Sequence, residues 1–274
     1  MSLKRVSLAA AMYFVLSFLS LILYPKKGFY LEVFDVGQGD SIFIRTENGS
    51  TMLIDGGDNY QADQKLNKEM FFPFCSLDYI LVTHPHSDHI KGLEKILKRC
   101  KVGTIMFNDV SYGSDDLTVF RDLLRKNNVK KVFIGDEFVL DDVNIKILWP
   151  PRELFDSGIK NLNDVSTVVF LDFGNFEALL LGDLQNDNQS KLDLDSIKTL
   201  IEGDLDVLKV AHHGSINGTY LPLLTSLKPK NCLISVGSDN KFGHPSLQAV
   251  KTMEDAGCRV LRTDLVGDIV IKTN

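Results

Sequence analysis

One short segment limits the possible folds of this chain more than any other, because three histidines and an aspartate directly follow an apolar run. Residues 79–82 (Tyr-Ile-Leu-Val) predict a buried strand, and after Thr83 the sequence reads His-Pro-His-Ser-Asp-His. Apolar residues at helical spacing come next, at positions 90, 93, 96 and 97. The segment therefore predicts a strand, a loop and a helix, with the loop side chains held where a rigid scaffold can present them in a cleft.

The side chains in this loop are of the types that hold metal ions. His84 and His86 are two positions apart and could bind one ion, while Asp88 and His89 could serve a second. Nitrogen and oxygen ligands of this kind suit Zn²⁺, with Mn²⁺ or iron as rivals. We therefore predict a site for two divalent metal ions, with zinc as the first candidate and manganese as the second.

Two ions need a group that bridges them, and Asp183 is the candidate. The apolar run at residues 178–181 delivers this carboxylate at its end, and a carboxylate can bridge by using both oxygens. A plain turn aspartate after Gly182 would give the same sequence, so both interpretations stay open. The remaining histidines lie in two other short motifs, with His212 and His213 in HHGS and His244 in GHPS.

From residue 28 onward, short β-type runs alternate with helical patterns. Asn48-Gly49 lies between two such runs and predicts a β-hairpin, and residues 130–135 (KKVFIG) predict a further strand. Mixed hairpins and strand–helix units predict an α+β fold of the αββα sandwich type, in which two mixed β-sheets are flanked by helices. We expect residues 28–274 to form one domain.

The amino-terminal segment predicts an attachment to a membrane. Residues 6–24 form an uncharged, nearly unbroken apolar run of 19 residues, flanked by Lys4 and Arg5 and by Lys26 and Lys27. A helix of that length spans roughly 28 Å, enough for the hydrocarbon core of a bilayer. We expect residues 1–27 to act as an uncleaved anchor with the main domain outside the cytoplasm, or as a signal segment if it is cleaved and the domain secreted. A buried core helix is the alternative.

Composition gives no sign of a general nucleic-acid binder. The formal net charge is −6, and the lysines at positions 126, 130 and 131 form only a local basic run, typical of a solvated helix end. The four cysteines are scattered singly and lack the paired spacing of a structural zinc site. We interpret them as small buried hydrophobic residues, with a disulfide between some pair left open.

A series of short motifs completes the pattern. They are DVGQGDS (35–41), LIDGG (53–57), THPHSDHIKG (83–92), NDVSTVV (163–169), LLLGD (179–183), VLKVAHHGS (207–215), GHPS (243–246) and RTD (262–264). In this order, over residues 30–270, they resemble the domain found in ComEC-type competence proteins, a branch of the metallo-β-lactamase superfamily. The resemblance implies a metal-dependent hydrolase with the fold predicted above.

The resemblance also implies roles for the ligands. His84 and His86 would hold the first ion, Asp88 and His89 the second, Asp183 would bridge them, and a histidine of HHGS would complete the second site. We favour His213 as that ligand and His212 as its substrate-facing neighbour, because adjacent strand-end residues point to opposite sides. Many members of the superfamily have another histidine between the first motif and the bridging aspartate. Here none lies between His89 and His212, so Asp164, Asn163 or water would complete the first site, or the first ion would not be held tightly.

Other residues are expected to support the metal ligands or to contact the substrate. Asp35 and Asp55 could accept the free N–H of a ligand histidine. In the mechanism that we expect, the two ions lower the pKa of a water, and Asp88 belongs to the catalytic set as a ligand. His212 or His244 would act as general acid or hydrogen-bond the substrate, and Ser215 would hold a substrate oxygen.

These expectations favour a phosphodiesterase or nuclease whose partner is a phosphodiester, either DNA or a small molecule. An extracytoplasmic phosphodiesterase acting on a small head group, resembling phosphorylcholine esterases, is one alternative. A lactonase, β-lactamase or thioesterase is a second, and a metal-binding or partner-binding module without turnover is a third. No protein partner is predicted, and a single apolar segment cannot form the channel that DNA import would require.

Overall fold

The computed structural model describes residues 28–70, 75–110, 113–156 and 158–273. The predicted membrane segment at residues 6–24, and the division at residue 27, lie outside the described residues. Within those residues, no helix combines the length and the apolar character needed to cross a bilayer.

Two mixed β-sheets form the centre of the described structure. The strands of the first sheet are β1 (Tyr30–Val33), β2 (Ile42–Arg45), β3 (Thr51–Ile54), β4 (Ser76–Leu81), β5 (Lys101–Met106), β6 (Val129–Lys130) and β14 (Ile269–Lys272). Those of the second are β7 (Glu137–Leu140), β8 (Val143–Trp149), β9 (Val168–Phe173), β10 (Phe176–Leu180), β11 (Val207–Lys209), β12 (Asn231–Ile234) and β13 (Arg259–Arg262). The strand orders are β14-β1-β2-β3-β4-β5-β6 and β13-β12-β11-β10-β9-β8-β7.

Helices cover the outer faces of both sheets. In the described ranges they are α1 (Gln61–Glu69), α2 (Ser87–Ile90), α3 (Leu93–Arg99), α4 (Asp115–Leu124), α5 (Asn186–Gln189), α6 (Leu194–Lys198), α7 (Leu221–Leu227), α8 (Leu247–Asp255) and α9 (Thr263–Val266). One apolar cluster lies between the sheets, where Ile44 and Ile54 meet Ile145 and Leu171. Two further clusters pack the outer faces against helices. The predicted αββα sandwich is therefore confirmed.

The local predictions have mixed outcomes. The Asn48-Gly49 hairpin is confirmed, since β2 and β3 pair antiparallel from Arg45–Thr51 to Ile42–Ile54. The strand predicted at residues 130–135 is wrong beyond Lys130, where β6 ends. The Asn108 side chain donates to the Val132 carbonyl over 2.6 Å and accepts from the Val132 N–H over 3.0 Å. One amide side chain therefore satisfies the backbone groups that a strand partner would otherwise bind.

The four cysteines are buried, as the sequence predicted, and they form the disulfides that the sequence left open. Cys75 is bonded to Cys100 and Cys232 to Cys258, with Cα–Cα distances of 4.6 and 5.9 Å. The first bond joins the start of β4 to the end of α3, and the second joins β12 to the residue before β13. Each bond closes a loop of about 25 residues, so sequence spacing could not reveal it.

The two ends of the described chain lie side by side. Strand β14 pairs antiparallel with β1, and the Thr273 N–H donates to the Phe29 carbonyl over 3.2 Å. A closing strand from the far end of the sequence thus completes the first sheet.

Candidate metal centre

The candidate ligands come from the carboxyl ends of strands in both sheets. After β4 the chain runs through Thr83 into the loop that carries His84 and His86, and α2 carries Asp88 and His89. In the second sheet, β10 is followed by Asp183, and β11 by a 3-10 turn, Ala211–Gly214, that holds the two adjacent histidines. Neither sheet alone supplies the whole set.

A glycine turn supports the backbone of the ligand loop. Gly39 has φ of +101°, and a Cβ added there would lie 1.8 Å from the carbonyl oxygen of Asp88. The next residue, Asp40, donates its N–H to that same carbonyl over 3.3 Å. This position therefore requires glycine, both for its left-handed conformation and for the close approach of two backbones.

The polar side chains form three overlapping groups that could each hold a metal ion. In each group the potential ligand atoms lie within 4.8 Å of one another. The groups are His84, His86 and Asp183; Asp88, His89 and His213; and Asp40, His89 and Asp183. The structure thus brings six of the seven residues predicted as ligands into one cluster.

Asp183 lies between the first two groups. Its Oδ2 atom is 3.8 Å from His84 Nε2, 3.5 Å from His89 Nε2 and 3.7 Å from His213 Nε2. The first of these imidazoles belongs to one group and the other two to the second. This is the position in which one carboxylate can serve ions in both groups.

The cluster has the features of a metal site rather than of a hydrogen-bonded core. Within the described part of the chain, His89 Nε2, His213 Nε2 and Asp183 Oδ1 are buried without a hydrogen-bond partner. Leaving such atoms unpaired costs free energy. Imidazole nitrogens and carboxylate oxygens are ligands that divalent ions such as zinc prefer. The residues present therefore fit a divalent ion.

Hydrogen bonds fix which nitrogen carries the proton when each buried histidine is neutral. The His89 Nδ1–H donates to Asp55 Oδ2 over 2.8 Å, and the His213 Nδ1–H donates to the carbonyl of Ser235 over 3.0 Å. The Thr83 hydroxyl gives its proton to Asp55 over 2.6 Å, so it can only accept from His84 Nδ1, 3.1 Å away. In their neutral forms, all three histidines therefore carry the proton on Nδ1 and leave Nε2 as the nitrogen that could bind a metal, and His84 Nε2 lies 2.9 Å from His86 Nδ1.

A buried ion pair lies beneath His213. Lys209, at the end of β11, is fully buried, and its Nζ donates to Asp40 Oδ2 over 2.8 Å and to the Val210 carbonyl over 2.9 Å. The other carboxylate oxygen, Asp40 Oδ1, lies 3.4 Å from His213 Nδ1. Burial opposes ionisation of Asp40, but the Lys209 ammonium and His213 outweigh it and lower the pKa of the carboxyl.

The histidines differ in protonation because their surroundings differ. Burial, followed by the charge of His89, lowers the pKa of His84 well below its ordinary value. Burial alone would also lower the pKa of His89 and of His213. The carboxylates around them outweigh burial, so the pKa of His89 is well above its ordinary value and that of His213 is raised to about 10. Before metal binds, both nitrogens of each of these two imidazoles are therefore protonated at neutral pH, and the rings are cationic.

A cavity of about 330 Å³ opens onto the cluster. Its lining residues are Gln38, His86, Ser87, Asp88, Asp183, His212, His213, Phe242 and His244. A second cavity of about 410 Å³ shares Gln38 with the first, and its wall includes Asp35, Asp58, Asp239 and Asp264. The candidate metal centre is therefore reached from a cavity walled by histidines and Phe242, with an acidic cavity beside it.

His212 and His213 face different surroundings, but not for the reason expected. His213 is buried in the cluster, while the half-buried His212 lines the cavity. The backbone of both residues is in the left-handed conformation, with φ of +51° for His212 and +53° for His213. The turn therefore separates them, not the alternation of an extended strand.

Three sequence-predicted residues lie elsewhere. The carboxylate of Asp164 accepts from Asn188 Nδ2 over 2.7 Å and is in none of the candidate ligand groups. Ser215 is buried and is not among the residues that line the cavity, and its hydroxyl accepts the Asn217 N–H over 3.2 Å. Asp35 was expected to support a ligand histidine, but its Oδ1 accepts from the Gly37 N–H. The same expectation for Asp55 is confirmed by its bond to His89.

Three residues of the centre were not identified from the sequence. Asp40 and Lys209 form the buried pair, and Ser166 links two ligands. Its Oγ accepts the Asp183 N–H over 3.0 Å and lies 3.1 Å from His84 Nδ1. A single lysine inside the apolar run VLKV was a signal for the buried pair, because a buried ammonium needs a counter-charge.

The fold and the metal-ligand cluster together define a metal-dependent hydrolase class. Residues 34–237 match the family model described as the metallo-beta-lactamase superfamily. The chain belongs to this superfamily.

Within it, the chain is similar to competence-related proteins. It is 28% identical over 258 residues to ComE operon protein 3 of Bacillus subtilis, covering 87% of this chain and 32% of that protein. It is 26% identical over 250 residues to Recombination protein 2 of Haemophilus influenzae, covering 89% and 29%. The chain thus spans about a third of the length of these relatives. Among solved structures, a diphosphatase from the PhnP family has a TM-score of 0.53 at 14% identity, covering 89% of this chain and 98% of that one.

Proposed function

We propose that the chain is a metal-dependent phosphodiesterase, and specifically a nuclease, with two divalent ions held around Asp183. The position of Asp183 Oδ2, within 4 Å of imidazole nitrogens from both ligand groups, carries this proposal. Bound there, a pair of divalent ions would supply a nucleophile at neutral pH and stabilise the charge that develops on the phosphoryl oxygens. The nitrogen-rich ligand set favours zinc over manganese.

The residues of the cavity wall would bind and orient the phosphodiester. His212 and His244 line the cavity beside the ligands, with ring centroids 5.5 Å apart. Burial lowers the pKa of both imidazoles. As neutral rings, they would donate N–H bonds to the phosphoryl and leaving-group oxygens and position the scissile bond.

The comparisons support a nucleic-acid substrate. One relative is named a recombination protein, and its alignment covers 89% of this chain. Because the chain spans only about a third of that relative, the proposal concerns phosphodiester cleavage and not DNA import.

One observation favours a second candidate, a phosphodiesterase acting on a small molecule with a cationic head group. The neighbouring cavity is lined by four aspartates, of which Asp264 is paired with Arg262 at 2.6 Å. The remaining carboxylates would repel a polyanionic strand and attract a cation.

The test is hydrolysis by the purified chain, loaded with Zn²⁺ or Mn²⁺, of single-stranded DNA, bis-p-nitrophenyl phosphate, glycerophosphocholine and a lactone side by side. Asp183→Asn is the inactive variant, and Asp142→Asn, an exposed aspartate in the β7–β8 turn, is its matched control. Cleavage of DNA that is lost only in the first variant supports the nuclease. Cleavage of glycerophosphocholine alone supports the second candidate, and no turnover with metal bound contradicts both.

We further propose that the domain lies outside the cytoplasm, held at a membrane by residues 6–24. The two disulfides support this location, because such bonds persist in oxidising compartments. Digestion of intact cells or spheroplasts with an added protease tests it. Protection of the domain until the membrane is lysed would contradict the proposal.

A further inference from the structure

A row of aromatic rings leads from the metal ligands to the mouth of the cavity. Starting at His213, the ring centroids of His212, His244 and Phe242 follow at successive distances of 6.2, 5.5 and 6.0 Å. The last two rings are nearly parallel, with an angle of 19° between their planes. The outer end of the row is therefore a pair of nearly parallel rings, Phe242 and His244.

The outermost ring is presented to solvent by a braced loop. Phe242 is 68% exposed although it lines the cavity. The Asn240 side chain accepts from the N–H groups of Phe242 and His244 over 3.2 and 3.0 Å. Its amide donates to the carbonyls of Gly237 and His244 over 2.8 and 2.7 Å. One asparagine thus fixes the loop that presents a large aromatic ring to solvent, where a planar ligand can cover its face.

We propose that Phe242 and His244 form a stacking subsite for a nucleobase next to the phosphodiester at the metal ligands. The subsite rests on the proposed nuclease function and names the part of the substrate that is recognised. A base stacks on an aromatic ring through its flat face, whatever its sequence.

The geometry favours a base over a quaternary ammonium group. Ammonium recognition uses several rings arranged as a cage around the cation. Here the two outer rings are nearly parallel, and the four aspartates lie in the wall of the second cavity, which shares Gln38 with this one. A flat face of this kind matches a planar base.

The test is equilibrium binding of a labelled single-stranded oligonucleotide with phosphorothioate linkages to the metal-loaded protein. Phe242→Ala should weaken binding about 10-fold, because one base–aromatic stack is lost. Phe242→Trp should bind at least as tightly as the wild type. Val139→Ala, at a 57% exposed valine on β7, is the matched control and should change nothing. With a fully abasic oligonucleotide, Phe242→Ala and wild-type affinities should agree within about twofold.

Because the linkages resist cleavage, this binding test does not depend on turnover. If the protein binds the oligonucleotides with the expected pattern but hydrolyses no phosphodiester, the nuclease proposal is contradicted and the stacking subsite is still supported. Equal oligonucleotide affinity of Phe242→Ala and wild type would overturn the subsite, even if DNA is cleaved. A loss that is equally large for the abasic strand, or Phe242-dependent binding of tetramethylammonium without any effect on oligonucleotides, would also overturn it.

Discussion

At the scale of single residues, the metal-free centre combines histidines that are cationic at neutral pH with one that is neutral. The raised pKa values of His89 and His213 mean that protons occupy these rings at neutral pH when no metal is bound, whereas the lowered pKa of His84 leaves it neutral. A metal ion binds only the neutral imidazole and not the imidazolium cation. Metal and protons therefore compete for the same two side chains.

We expect metal binding at pH 7.5 to release about two protons, one from each of these histidines. The affinity for zinc should therefore rise with pH, until the pH passes the raised pKa values. Calorimetric titration with Zn²⁺ in buffers of different ionisation enthalpy measures the number of protons. Asp183→Asn, which removes a carboxylate that raises both pKa values, should release fewer. Binding of zinc without proton release would contradict the protonation pattern.

The pair formed by Lys209 and Asp40 should matter for stability even without metal. Lys209→Met removes the nearest counter-charge of the buried Asp40 carboxylate, so the free energy of unfolding should fall by about 3–5 kcal/mol. Adding Asp40→Asn to this variant should restore part of the loss. Urea unfolding of the metal-free protein measures both changes.

The control for this prediction is Lys230→Met, which breaks an exposed ion pair of the same length, 2.8 Å, with Asp206. An exposed pair contributes at most about 1 kcal/mol. If the two lysine variants lose equal stability, the buried pair has no special role.

At the scale of elements, the sequence predicts what local chemistry decides and misses what distant contacts decide. Asn48-Gly49 specifies its hairpin because the turn needs only its own residues. Residues 132–134 have strand-forming side chains, yet the Asn108 side chain hydrogen-bonds both backbone groups of Val132. The residues next to Val132 in the sequence give no sign of this contact.

The same division applies to the candidate site. Four candidate ligands lie within six consecutive residues, so the sequence alone reveals them, and a strand end and a short helix hold them together. Asp40 and Lys209 are 169 positions apart and meet only through the packing of the two sheets. Asp164 was predicted as a ligand because of its motif, but the 3-10 turn Leu162–Val165 places Ser166, not Asp164, against the ligands.

The disulfides connect elements of the fold, and the stability that each contributes depends on the length of the loop it closes. Their sequence separations are 25 and 26, so the loop-closure entropy model gives each about 3–4 kcal/mol. We expect the paired replacements Cys75→Ala with Cys100→Ala, and Cys232→Ala with Cys258→Ala, to lower the free energy of unfolding by similar amounts. Guanidinium unfolding of each variant against the oxidised wild type measures this. Unchanged stability in both variants would contradict the presence of the two disulfides.

At the scale of the whole molecule, the metal centre connects two halves of the fold. The first sheet and α2 supply His84, His86, Asp88 and His89, and the second sheet supplies Asp183 and His213. An ion bound by ligands from both sheets should therefore stabilise the entire αββα unit and not one layer of it.

We expect zinc at about 100 times its Kd to raise the free energy of unfolding by about 2.7 kcal/mol. The single tryptophan, Trp149, ends β8 in the second sheet and reports on that half, while far-UV circular dichroism reports on both. Zinc should move the two thermal transitions upward by the same amount, and Asp183→Asn should reduce the shift. A shift in one signal alone would show that the halves unfold independently.

The pairing of β14 with β1 has a consequence for how such a unit is built into larger proteins. With residues 29 and 273 hydrogen-bonded to each other, the described fold enters and leaves at one corner, on an edge of the first sheet. Any polypeptide joined to either end would start from that same corner, so the whole hydrolase unit could be inserted at a single point of a host chain without breaking a strand of either partner. Grafted in this way, it would keep its cleft while both connections share one short stalk.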